Sequence, residues 1–279
     1  MIRVLREDDG PALERFLAPL LDSSMFLVAN ARKGGLTDRG QPFQATYAAA
    51  FEEGRIVGVA ACSWLGSMAI QAPRELPGVV REAVRASGRQ VTAMIGPYDQ
   101  AVAACAAIGR SPLSLERELL FAVDLADLEV PAALGSGDVV CRAPRREELD
   151  LLAEWRARFI VETNVEREGP DLRSRARISM ELLFADGSLF VLTSGDALVS
   201  MAAFNARIAE AAQIGGVYTP PALRSRGYAR CSVAGALHAI RASGVRRGVL
   251  FTAESNQAAQ RSYQAIGFRP IGDYGLLRV

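Results

Sequence analysis

Apolar and polar positions fall into blocks along this chain, and the blocks come twice in the same order. In the first half a turn at Gly54 leads into the apolar run 56–61; in the second, Gly195-Asp196 leads into 197–203. Both read as hairpins entering buried strands. Residues 92–100 and 250–258 then give an apolar strand, polar turn residues and the start of an alanine-rich helix. The first helix ends Ala107-Ile108-Gly109 and the second Ala265-Ile266-Gly267, with glycine where a left-handed C-terminal cap belongs. Pro112 and Pro270 follow in the same register, and apolar strands at 119–123 and 276–279 close the halves. Each half opens with a short strand and an amphipathic helix; in the second, Leu149, Leu152, Phe159 and Ile160 share a face. The shared order predicts a duplication, with domains at 1–130 and 137–279 and a linker in the small-residue, proline-containing stretch 131–137.

One segment departs from plain strand-and-helix patterning. A strand runs from Ile214 through Gly215-Gly216 to Thr219 and stops at Pro220-Pro221, which cannot donate to a ladder. A helix is expected from near Arg226 to about Ala242, with Ala229, Val233, Ala236, Leu237 and Ile240 on its apolar face. The first turn of a helix leaves backbone N–H groups without partners, and with the helix dipole they suit an anion such as a pyrophosphate. Gly227 lets a phosphate approach the backbone, Ala229 keeps the next turn small, and Arg224, Arg226 and Arg230 add charge. Solvent-facing arginines on an ordinary loop are the plainer reading of the same residues.

Composition narrows the chemistry. At 279 residues the chain accommodates two domains of roughly 100–200 residues. A net charge of +1 and the lack of a clustered basic helix argue against nucleic acid or an anionic membrane surface as partner. Cys62, Cys105, Cys141 and Cys231 form no C-x-x-C pair and read as reduced, mostly buried thiols. His238 is the sole histidine, which removes most Ser-His-Asp and Cys-His chemistry and leaves zinc without a ligand set. Charge follows the first five residues at once, as Arg6-Glu7-Asp8-Asp9, so a cytoplasmic protein without a signal peptide is expected. No apolar run approaches the roughly 20 residues of a membrane span.

The loop from Arg224 to Ala229 resembles the coenzyme A pyrophosphate motif of GNAT acetyltransferases, Gln/Arg-x-x-Gly-x-Gly/Ala. A second motif of that family is a strand, an asparagine and a helix carrying tyrosine and ending in Gly-Phe. It is matched by 250–252, Asn256, Tyr263 and Gly267-Phe268. The resemblance covers about 139–279 well and the first half loosely. It implies tandem GNAT folds of α/β (α+β) class, each a mixed, mostly antiparallel central sheet flanked by helices. It also implies an N-acetyltransferase that moves acetyl from acetyl-CoA to an amine, with no metal. By position, Val217, Tyr218 and Thr219 would line the pantetheine arm, and Gly215-Gly216 would form a bulge. Residues Arg224, Ser225, Arg226, Gly227, Tyr228, Ala229 and Arg230 would wrap the pyrophosphate. Asn256 would bond near the pantetheine, serve as a helix N-cap, or both. Tyr263 would protonate the departing thiolate, unless it is simply a core tyrosine. Glu162, Glu210 and Glu254 are the carboxylates expected near the acceptor cleft.

The first half lacks the pyrophosphate motif between 62 and 79 and places Glu75 where an anion would lie. It is therefore expected to be a degenerate copy that shapes the acceptor site. The arrangement is similar to predicted two-domain bacterial acetyltransferases, acting as monomer or homodimer, with a small-molecule amine as acceptor. A non-catalytic acyl-CoA-binding or regulatory module is the alternative. An aminoacyl transferase using charged tRNA fits less well, because such proteins usually lack an intact pyrophosphate loop.

Overall fold

The computed structural model describes residues 1–163 and 168–279. In chain order the first half forms β1 (Ile2–Val4), α1 (Gly10–Leu17), α2 (Leu21–Gly34), β2 (Ala45–Glu52), β3 (Arg55–Ser63), β4 (Ser67–Gln71), α3 (Leu76–Ser87), β5 (Ala93–Pro97), α4 (Tyr98–Ala107) and β6 (Glu118–Asp124). After the short α5 (Ala132–Gly135) come β7 (Val140–Arg142), α6 (Leu149–Glu162), α7 (Leu172–Ala185), β8 (Leu189–Ser194), β9 (Ala197–Arg207), β10 (Ala211–Tyr218), α8 (Tyr228–Arg241), β11 (Arg247–Ala253), α9 (Gln257–Gln264) and β12 (Arg269–Arg278). The element order of the first half thus recurs in the second. The fold is mixed α/β, with a mostly antiparallel sheet flanked by helices.

Two compact units result, and they do not coincide with the two halves of the sequence. Unit 1 holds Met1–Leu120, Phe251–Ser255 and Pro270–Val279; unit 2 holds Phe121–Leu250 and Asn256–Arg269. The strands of unit 1 run β1-β2-β3-β4-β5-β12, and those of unit 2 run β6-β11-β10-β9-β8-β7. The last strand of each half therefore completes the other half's sheet. Leu276 pairs with Ile95 and Leu277 with Met94, which brings β12 onto β5. This differs from the division at 1–130 and 137–279, because chain order does not say which free strand edge a terminal strand will cover.

In unit 1, α3 and α4 pack Val79, Val80, Ala104 and Cys105 against Ile70, Met94 and Leu277. In unit 2 one face of the sheet meets α6 and α7 through Leu149, Leu152, Trp155 and Met180. The other face receives α8, whose stretch from Cys231 to Leu237 is buried all round. Gly235 sits in that stretch because a side chain there would collide with Cys141 of β7. The expected linker is not plain coil: its Leu134, in α5, packs beside Val139 and Cys231.

Helix α8 begins at Tyr228, later than the expected Arg226. Gly227 has φ 80° and serves as N-cap in a left-handed conformation that no helical turn can contain. His238 lies exposed on this helix. All four cysteines are free thiols, and burial raises the thiol pKa of each, that of Cys141 to about 12. Among the described residues no helix is long and apolar enough to cross a membrane.

Candidate acyl-transfer site

Strand β10 is held by β9 along its length but by β11 over only part of it. The parallel pairing runs from Ala211 opposite Arg247 to Gln213 opposite Val249. Beyond it β10 follows β9 alone, with Gly215 opposite Ala203 and Tyr218 opposite Met201. Register shifts fall between Gln213 and Ile214 and between Gly215 and Tyr218. Among the described residues, the backbone groups of β10 on that side face no strand past Gln213. Such an edge can take an extended ligand as an added strand.

The irregularity lies where Gly215-Gly216 was expected to bulge, and each glycine is needed for its own reason. A β-carbon on Gly215 would collide with the side-chain amide of Asn205. Gly216 has φ 60°, and a β-carbon there would lie 3.0 Å from Nη1 of Arg156. The bulge is thus flanked by an amide from β9 and a guanidinium from α6.

Past β10 the chain turns through Pro221–Leu223 as a single 3-10 turn. Ser225 adopts φ 63° and Gly227 φ 80°. Among the described residues no side chain caps α8, so its first-turn N–H groups are left for an external acceptor. The Arg230 guanidinium lies over Gly227, with Nε 3.1 Å from where a β-carbon would be. Ser225, Arg226 and Arg230 are exposed around this helix start. Backbone donors, positive dipole and flanking arginines together fit a diphosphate. Arg224 is placed differently from its neighbours. Its Nε donates to the Thr219 carbonyl at 2.9 Å and its Nη2 to Glu162 at 2.5 Å, so it ties the loop to α6.

A buried hydroxyl cluster holds the loop from beneath, and sequence patterning did not reveal it. Ser200, fully buried in β9, donates to the Tyr218 carbonyl at 3.0 Å. Its oxygen lies 2.9 Å from the Thr219 hydroxyl and 3.2 Å from that of Ser232. Ser232 donates in turn to the Ala229 carbonyl at 2.9 Å. Strand β9, the end of β10 and the first turn of α8 are thereby fixed together. The available signal was a serine inside each of two otherwise apolar runs.

Asn256 is the N-cap of α9: its Oδ1 accepts from the Ala259 N–H at 3.1 Å. The cap uses the carbonyl oxygen, so the NH2 group is the part that can donate to a ligand. Tyr263 is buried in α9, with its ring 6.2 Å from that of Phe268. Helix α9 packs on α8.

The three expected carboxylates have different settings. Glu162 ends α6 and accepts from Arg224 and from the Tyr218 hydroxyl at 3.3 Å. Burial, with Glu162 adding to it, raises the Tyr218 phenol pKa. Glu210 precedes β10 at its opposite end, six residues before Gly216, and at about 3.3 Å per residue lies some 20 Å away. Its carbonyl accepts from Arg246 and Arg247. Glu254 belongs to unit 1, where it lines an open cavity of about 430 Å³ with Tyr98, Glu116 and Arg117.

Unit 1 repeats the framework with the opening filled. Strand β4 pairs in parallel with β5 from Ser67 to Ala69 only. Just past β4 the Ala72 N–H donates to Oε1 of Gln100 in α4 at 2.6 Å. At the start of α3 the N-cap Glu75 is left-handed, and Ile2 occupies the space in which a side chain on Gly78 would lie.

In unit 2 a strand parts from its parallel neighbour and runs through a bulge into an uncapped helix start. This defines an acyltransferase-type α/β domain. Residues 150–268 match the acetyltransferase (GNAT) family model, so this segment is a GNAT-type domain. Family members take their acyl group from acetyl-CoA. The whole chain is similar in fold to a GCN5-related N-acetyltransferase from Sphaerobacter thermophilus. That match has TM-score 0.60 and 16% identity, covering 100% of this chain and 95% of that one. It is also similar to a tandem GNAT protein from the clavulanic acid biosynthesis pathway, with TM-score 0.57, 15% identity and 100% and 97% of the two chains covered. A GNAT-family acetyltransferase from Colwellia psychrerythraea gives TM-score 0.53 at 14% identity, covering 100% and 99%. A search of curated proteins finds no match.

Proposed function

We propose that this chain moves acetyl from acetyl-CoA to the primary amine of a small molecule, with its coenzyme site in the second half alone. The carrying observation is the parted edge of β10, which leads directly into the uncapped start of α8. The backbones of Val217 and Thr219 pair with the pantetheine arm. The N–H groups of Tyr228, Ala229 and Arg230, with Ser225, Arg226 and Gly227, surround the pyrophosphate. Arg224 orders the loop through Thr219 and Glu162, and Asn256 donates its amide hydrogens near the pantetheine.

The amine attacks the thioester carbonyl directly, and the backbone of the Gly215-Gly216 bulge faces the developing oxyanion. The C–N bond forms, the C–S bond breaks, the Tyr263 hydroxyl protonates the departing thiolate, and the proton lost by the amine nitrogen passes through solvent to re-protonate Tyr263. The filled opening of unit 1, with Gln100 bonded to Ala72, supports a first half that has lost the coenzyme site.

The test is calorimetric titration of the whole chain with coenzyme A, beside thiol release from acetyl-CoA over a panel of small amines. One site per chain and amine-dependent thiol release are expected. Two equivalent sites would overturn the division of labour, and no coenzyme binding would overturn the assignment.

A further inference from the structure

Arg156 is an unusual residue to find beside a reacting bond. Its Nη1 lies against Gly216 of the bulge, and its guanidinium sits 5.3 Å from the Phe159 ring. Among the described residues no carboxylate pairs with it, and its buried Nε has no hydrogen-bond acceptor. A half-buried guanidinium without a counter-charge, its Nε closed off from water, is costly, and burial lowers its pKa. Packing alone does not account for it, since the neighbours Trp155 and Ala157 make the apolar contacts of this turn. On the other side of the bulge the Asn205 amide lies against Gly215. A planar fork and an amide therefore flank the position where the acyl carbonyl would sit. A carboxylate is the anion that suits this pair: two parallel oxygens for the guanidinium and a lone pair left for the amide.

We infer that the acceptor is an amino acid or similar amino-carboxylate, whose carboxylate is held by Arg156 with help from Asn205 while its amine attacks at the bulge. This rests on the acyl transfer proposed above. The positive charge beside the acceptor nitrogen also favours the neutral, nucleophilic amine over the ammonium ion.

The experiment compares L-amino acids with their carboxamides as acceptors for acetyl-CoA, in the wild type, Arg156→Gln and Arg156→Lys. The acids should show KM values about tenfold or more below those of the amides. Arg156→Gln should abolish that preference without raising KM for acetyl-CoA, and Arg156→Lys should restore part of it. The melting temperature of Arg156→Gln should equal or exceed that of the wild type, because an unpaired buried charge is removed. A purely structural arginine would give the opposite melting result and an equal loss on acids and amides, which overturns the inference. Succinyl-CoA run with neutral amines separates the sources of the carboxylate: an Arg156-dependent preference for it over acetyl-CoA places the group on the acyl chain and overturns the acceptor assignment. Calorimetric titration of glycine in the presence of coenzyme A separates the two proposals. Arg156-dependent glycine binding without thiol release upholds the carboxylate site and sinks acyl transfer. Thiol release as fast with amides as with acids does the reverse.

Discussion

Three side chains carry separable burdens. Tyr263→Phe keeps the buried ring beside Phe268 and removes only the hydroxyl. Turnover should fall about a hundredfold with coenzyme A affinity unchanged, as judged by thiol release and calorimetry on the same preparation. Parallel loss of both would make Tyr263 a packing residue. Ser200→Ala breaks the buried link between the Tyr218 carbonyl and the hydroxyls of Thr219 and Ser232. Leaving those groups short of a partner should cost about 1–3 kcal/mol in denaturant unfolding and weaken coenzyme binding. Glu118 sets a pH dependence. Burial first, and the nearby Glu116 second, raise its carboxyl to about 7 from the ordinary 4.5. A folded-state value above the unfolded one means the fold prefers the protonated acid. The contribution is fully present below pH 4.5 and lost as pH rises to about 7. Glu118→Gln should therefore leave stability at pH 4 unchanged and raise it at pH 8 by about 2 kcal/mol. Equal effects at both pH values would refute the assignment.

At the scale of elements, legibility followed backbone constraint. The loop before α8 could be read because prolines end a strand and a glycine with positive φ starts a helix, and both act through the main chain of their own residue. The bulge was legible for the same reason. Arg156 was not, because a helical periodicity count weighs apolar positions, and a guanidinium pointing inward looks the same in sequence as one pointing out. Glu210 stands at the far end of β10 from the proposed site, because a strand carries its two ends some 20 Å apart and that site lies at the end at Tyr218. The loop's own geometry gives a further expectation. Gly227→Ala would force φ 80° on a residue with a β-carbon, which would sit 3.1 Å from Arg230 Nε. It should shift Arg230, fray the first turn of α8 and weaken coenzyme A binding about tenfold, with a loss of roughly 1 kcal/mol in stability. Calorimetry and thermal melting of the one variant read both effects, and unchanged affinity would remove this helix start from the coenzyme site.

For the whole molecule, the exchange of closing strands decides what can be cut. The repeat in the sequence suggested two separable halves, but β12 pairs with β5 in unit 1, while β6 enters unit 2 at Phe121 beside β11. Residues 1–130 alone would leave Met94 and Ile95 on an unpaired edge, without Leu277 over the core formed by Val79, Val80 and Cys105. Residues 137–279 alone would lack Phe121, Ala122 and Val123, all buried. Neither piece should fold by itself. Truncation after Arg269 is the sharper cut, because it removes unit 1's share of β12 and leaves unit 2 whole. Hydrogen exchange should then show lost protection at Ala93–Pro97 and through α4, while β9, β10 and α8 keep theirs. Since the proposed coenzyme site lies wholly in unit 2, coenzyme A binding should survive the truncation. Protection retained across Ala93–Pro97 would show that β12 is dispensable to the unit it joins.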